Sequence, residues 1–202
     1  MEEPLGKFLT EGFENYLKSI PDEIASEAYA LSIWISDESD LWLQGVVIAV
    51  GVHTESQFQS RLREKSSNEN EARWNFSVWG DVFERFAWNK NNYQIVLGED
   101  RSLSFLGGEF IEGWLRDRDL WGFHEREFED AGAWDEALTS GGELFWRMVG
   151  KSALKLRTSG LLEGTFGERE IPIAIHRATC SFRNEATRLA NPELSQIGLY
   201  KL

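Results

Sequence analysis

Leu5, Phe8, Leu9, Phe13, Tyr16 and Leu17 recur at helical spacing and Pro21 ends the pattern, so an amphipathic helix is expected over this opening stretch. The period then drops to two. Tyr29, Leu31, Ile33 and Ile35 alternate with Ala30, Ser32, Trp34 and Ser36, which predicts a strand ending in the polar run Asp37-Glu38-Ser39-Asp40. Trp42 to Val52 is a second strand, apolar enough for the centre of a sheet. The short polar link makes 28–36 and 42–52 an antiparallel hairpin. Thr54 and Gln57 stand at the spacing of a capping box and predict a helix over 55–65.

Lys65 to Glu71 is polar and turn-rich, as in a surface loop. Asn75 is placed to cap a helix over Phe76 to Trp88. In it Val78, Trp79, Val82, Phe83 and Phe86 form an apolar face, with Trp74, Trp79 and Phe83 expected to be buried. Tyr93 to Leu97 reads as a strand, whereas residues 103–134 follow no single period. Trp134 to Leu156 reads as a helical region interrupted near Gly141-Gly142. Ile171 to Ile175 is a short strand placed at an edge, because Pro172 cannot donate to a ladder. Ser181 then caps a last helix, which Asn191-Pro192 closes. The order predicts an α+β fold, one domain over 1–202 with a central, mainly antiparallel sheet flanked by helices.

Composition adds two things to this picture. Nine Trp and thirteen Phe among 202 residues imply a heavily aromatic core or an aromatic recognition surface, core being the ordinary outcome. Charge is the second. The net value is −13, and residues 1–40 hold ten acids against Lys7 and Lys18. Such a front repels a phosphate backbone, so no nucleic acid is expected as a partner; a basic protein is the complementary one. Glu11, Glu14, Asp37, Glu38 and Asp40 are the candidate binding residues, on the expectation that the first helix and the hairpin turn present one negative patch. The single Cys180 cannot form an internal disulfide, the N-terminal stretch lacks the build of a signal peptide, and the longest apolar run, Val46 to Val50, is too short for a bilayer. A cytoplasmic location, with no membrane partner, is expected.

Catalytic signatures do not complete themselves. Gly150-Lys151-Ser152 has the ending of a phosphate-binding loop, but Phe145 occupies the position that needs a glycine. Ser152 and Lys155 make an S-x-x-K spacing without its usual partner motifs, and a solvated helix face is expected there. Glycines 107, 108 and 113 do not complete a dinucleotide fingerprint. His53, His124 and His176 never fall at ligand spacing, so neither metal nor cofactor is expected. His124 beside Glu125, and Glu109, Glu112, Asp117 and Asp119 in an aromatic stretch, are the residues that acid/base chemistry would use.

The strand Tyr29 to Trp34 with its acidic turn, the apolar strand running to His53-Thr54-Glu55, and Ala72-Arg73-Trp74-Asn75-Phe76-Ser77-Val78-Trp79 together resemble a bacterial domain-of-unknown-function family of about this length. Some of its relatives look like immunity proteins encoded beside toxins. The resemblance implies no catalytic residue or cofactor. The functional expectation is therefore a protein-binding module of immunity type rather than an enzyme, the alternatives being an enzyme using dispersed carboxylates with His124, or a small-molecule-binding domain.

Overall fold

The computed structural model of the chain describes residues 3–36, 47–65, 69, 73, 95–96, 108–120, 131–177 and 184–192. The elements are α1 (Pro4–Ser19), α2 (Asp22–Glu27), β1 (Ala28–Ser36), β2 (Val47–Thr54), α3 (Glu55–Lys65), β3 (Ile95–Val96), α4 (Gly108–Arg116), α5 (Ala131–Thr158), α6 (Leu161–Phe166), β4 (Ile173–Arg177) and α7 (Asn184–Ala190). The fold is α+β and mostly helical. Asp37 to Asp40, Trp42 to Val46, the stretch 66–72 apart from Glu69, the expected helix 76–88 with Trp74, Trp79 and Phe83, His124 and Ser181 lie outside the described residues.

β1 and β2 pair antiparallel, Leu31 opposite Val52 and Ile35 opposite Ile48, as the hairpin reading expects. The late strand stands at the edge of the sheet, as expected, but its direction departs from a mainly antiparallel sheet. β4 lies on the other side of β1 and runs parallel to it, Leu31 opposite Ile173 and Trp34 opposite His176, so the sheet is mixed. A parallel partner cannot be reached by a hairpin, and here the chain between β1 and β4 carries most of the helices. The two-residue β3 extends the β2 side of the sheet.

The alternation in β1 sets the core. Leu31, Ile33 and Ile35 share a face with Ile48, Val50 and Val52 of β2 and with Ile173 and Ile175 of β4, all buried. The same hydrophobic cluster takes in Leu5, Leu9 and Phe13 of α1 and Phe145, Val149 and Leu156 of α5. α1 begins on Pro4, whose fixed φ suits a first helical turn, and its buried residues fall on one stripe as expected. At the head of α3 the capping box is made: Gln57 N–H faces Thr54 Oγ1 at 3.4 Å, and Thr54 N–H donates to Gln57 Oε1 at 3.0 Å.

α5 runs unbroken from Ala131 to Thr158, correcting the expected interruption at Gly141-Gly142. A mid-helix glycine costs only about 1 kcal/mol, which the burial of this helix's apolar stripe exceeds. Ser152 is likewise buried rather than solvated, and its hydroxyl donates to Gly6 O at 3.2 Å across the α1–α5 contact. Lys155 stays exposed.

The exposed side of β4 is closed by α7 in an unusual way. Asn191 Oδ1 accepts from Ile173 N–H at 2.8 Å, and its Nδ2 donates to Ile173 O at 2.7 Å and to Thr187 O at 2.6 Å. One turn earlier, Thr187 Oγ1 accepts from Ile175 N–H at 3.0 Å and donates to Ile175 O at 3.1 Å. Two side chains thus stand where a neighbouring strand would be. Arg157 braces them, donating to Asn191 Oδ1 at 2.9 Å, Ile171 O at 2.8 Å and Ala190 O at 3.1 Å.

Asn191→Ala should therefore lower unfolding free energy by about 3 kcal/mol in urea titrations, because it strands buried N–H and C=O groups of β4. Asn191→Asp, of equal size but without the amide donors, should cost a comparable amount. A second test concerns Gly150, where an added Cβ would lie 2.9 Å from Ala186 O and 3.1 Å from its Cα. Gly150→Ala should destabilise by about 1–3 kcal/mol through overpacking, although alanine is the better helix former.

Candidate functional site

Two places bring chemistry-bearing side chains together. The first is the second face of the sheet, where Ala30, Ser32 and Trp34 of β1 stand with Gly51 and His53 of β2 and with Ala174 and His176 of β4. Apart from the partly exposed Trp34, the side chains described on this face are buried too. Ser32 Oγ shares a hydrogen bond with His176 Nε2 at 2.6 Å, and Ser32, His53 and His176 are 0%, 0% and 1% exposed. The register irregularity at Ala28/Ala30 goes with a Tyr29 ring that reaches this side, 6.2 Å from the His53 ring and 6.2 Å from that of Phe58. Arg61 of α3 donates to Tyr29 Oη at 2.8 Å, and Tyr29 Oη donates to Arg73 O at 3.1 Å.

The cluster reaches the surface through Arg73. Its guanidinium lies 4.2 Å from the Phe58 ring centre and 4.9 Å from that of Tyr29, and it grips Glu55 through two hydrogen bonds of 2.6 and 3.1 Å. Burial pushes the Tyr29 hydroxyl up to about 12, against the pull of Arg61 and Arg73. Burial, then the positive charge of Arg61 and then His176, hold His53 well below the ordinary histidine value of 6.5, so it is neutral in the fold. A serine hydroxyl on an imidazole is the geometry of an activated nucleophile, but these atoms are sealed from solvent, so in this conformation the pair joins β1 to β4.

The second place is the end of the molecule where α2 and α6 meet. Arg169 ties them, donating to Phe166 O at 2.9 Å, Ser26 O at 2.7 Å, Ala28 O at 3.1 Å and also to Ala25 O, so its N–H groups are taken up by carbonyls at the end of α6 and at the α2–β1 junction. Around it Asp22, Glu23 and Glu27 of α2, Glu163 of α6, and Glu168 and Glu170 of the following turn are all exposed. None of the six is in an ion pair among the described residues. Beside them lies a groove of about 430 Å³, lined by Leu17, Lys18, Ile20, Asp22, Ala25, Ser159, Gly160, Leu161, Gly164 and Thr165.

The acids singled out from the sequence are arranged differently. Glu11 and Glu14 both lie on α1, but Lys7 stands 3.6 Å from Glu11 and Lys18 3.8 Å from Glu14, each an i,i+4 pair. Asp37, Glu38 and Asp40 lie outside the described residues, as do His124 and Glu125. Glu112 pairs with Arg116 at 2.7 Å, while Asp117 and Asp119 sit in the exposed turn after α4, Asp119 with φ of 58°. Gly150-Lys151-Ser152 falls in mid-α5, where Gly150 is the close crossing with α7 and Ser152 the contact with α1. Among the described residues no three of His, Cys, Asp and Glu come together as a metal site, and no described helix is long and apolar enough to cross a membrane.

Comparison with protein-family models, with curated proteins and with solved structures finds no match to this chain. The family likeness of Tyr29–Trp34 and Ala72–Trp79 gains no support from these comparisons.

The buried, neutral His53 gives a pH prediction. A depressed folded pKa means that the unfolded chain binds the proton more readily, so stability is fully present above pH 6.5 and is lost as pH falls below it. Chemical denaturation between pH 7 and 5 should show a slope of up to about 1.4 kcal/mol per pH unit from this group. His53→Gln should flatten that slope; an unchanged slope would assign the pH dependence to other groups.

Proposed function

We propose that this chain is a protein-binding module of immunity type that engages a basic protein partner through the acidic end formed by α2, α6 and residues 167–170. The observation that supports this reading is the contrast in pairing. Acids on α1 have lysines beside them, whereas Asp22, Glu23, Glu27, Glu163, Glu168 and Glu170 crowd one end with no ion-pair partner among the described residues. Unpaired like charges raise the local field, which steers an oppositely charged partner and repels nucleic acid. The contact thereby moves from the patch of Glu11, Glu14, Asp37, Glu38 and Asp40 toward the α2–α6 end. A net charge of −13 and a single cysteine fit such a protein in the bacterial cytoplasm.

An enzymatic reading has one geometric feature in its favour, the 2.6 Å contact of Ser32 and His176. It ranks second, because substrate atoms need access and both residues are sealed.

A partner isolated by low-salt affinity capture on the full chain supplies the test. Reversing Asp22, Glu23 and Glu163 to lysine should slow its association by about tenfold or more and weaken the dependence on ionic strength. Stopped-flow mixing across a salt series measures both. Association kinetics identical to wild type would remove the acidic end from the contact.

A further inference from the structure

The groove beside the acidic end has a floor that charge alone does not explain. Of its apolar lining residues Leu17 and Ala25 are buried, while Ile20 and Leu161 are only partly buried and pack against the core. Gly160 and Gly164 complete the lining one helical turn apart. A Cβ added at either would meet nothing within 4 Å, so open space stands over both backbones. At Gly160 the φ of 76° favours glycine on conformational grounds; at Gly164, inside α6, no such demand exists and a side chain would improve the helix.

From these features we infer that the groove receives one apolar anchor side chain from a Lys/Arg-rich segment of a protein partner. This rests on the proposed binding function and names how the partner is held. The volume of about 430 Å³ is in the range of a small binding cleft and accommodates a leucine-sized group with its flanking backbone. Charge complementarity selects the flanks. Asp22 lines the groove, Glu23 and Glu163 stand on the two helices that frame it, and Lys18, the basic residue in the lining, already faces Glu14 at 3.8 Å. Partly exposed Ile20 and Leu161 beside an acidic rim reproduce the division seen at interfaces, where a desolvated anchor supplies affinity and rim charges supply steering.

Two synthetic peptides serve as probes, Lys/Arg-rich throughout and alike except for a central Leu in one and Ser in the other. Binding of each to the full-length chain is followed by fluorescence anisotropy. The Leu peptide should bind about tenfold more tightly than the Ser peptide, the effect of burying part of one apolar side chain. Gly164→Leu, which fills the groove where space is open, should abolish that tenfold difference while leaving the thermal midpoint at or above wild type. Equal affinity of the two peptides for wild type, or a difference that survives Gly164→Leu, would overturn the inference. Double reversal of Asp22 and Glu163 to lysine separates the two proposals. If it weakens both peptides while they bind wild type equally, the acidic-end reading stands and the anchor fails. If neither peptide binds wild type at low salt, both fail.

Discussion

A parallel strand at the edge of a small sheet leaves half its backbone groups facing outward, and the fold depends on how those of β4 are satisfied. Ile173 and Ile175 each present an N–H and a C=O away from β1, and Asn191 and Thr187 take all four. Asn191 is fully used, with two bonds accepted and two donated. An amide side chain mimics a peptide unit, so α7 closes the edge as a strand would while its other side packs on α5. The consequence reaches the whole core. β4 anchors Ile173 and Ile175 beside Leu31 and Ile33, and α5, held through Gly150 and Arg157, carries Phe145, Val149 and Leu156 onto the same layer.

The two faces of the sheet divide the labour. One buries the apolar residues Leu31, Ile33, Ile35, Val50, Val52, Ile173 and Ile175 in the cluster shared with α1 and α5; the other carries Ser32, His53 and His176 with Tyr29 and Arg61, all five buried. Buried polar groups are tolerable only when partnered, and hydrogen bonds such as Ser32 to His176 make a mis-registered β4 costly. Slipping β4 by one residue would carry His176 to the apolar face and Ile175 to the polar one. The polar face therefore specifies the pairing that the apolar face rewards. At the surface, α2 and α6 gather acids with no ion-pair partner among the described residues.

Local signals were legible in the sequence where the structure is local. The alternation of Leu31, Ile33 and Ile35, the stripe of Leu5, Leu9 and Phe13, and the Thr54–Gln57 capping box each depend on neighbours within a few residues. Non-local pairing was not. Ser32 and His176 are 144 positions apart, and nothing in either segment says that β4 lies parallel to β1. Gly141-Gly142 signalled a break because propensity weighs each residue alone, whereas α5 is held by its packing. The acidic front was visible as a count but not as a surface. Lys7 to Glu11 and Glu14 to Lys18 could be read as i,i+4 pairs, while the convergence of Asp22 and Glu163 requires the fold.

Amide hydrogen exchange at Ile173 and Ile175 tests the central claim most directly, since it reads the outward-facing N–H groups themselves. If Asn191 Oδ1 and Thr187 Oγ1 hold them as a strand would, both amides should exchange only through global unfolding, with protection equal to that of Ile33 in the central strand. Fast exchange at Ile173 and Ile175 beside a protected Ile33 would show that the edge is open and that α7 does not close it.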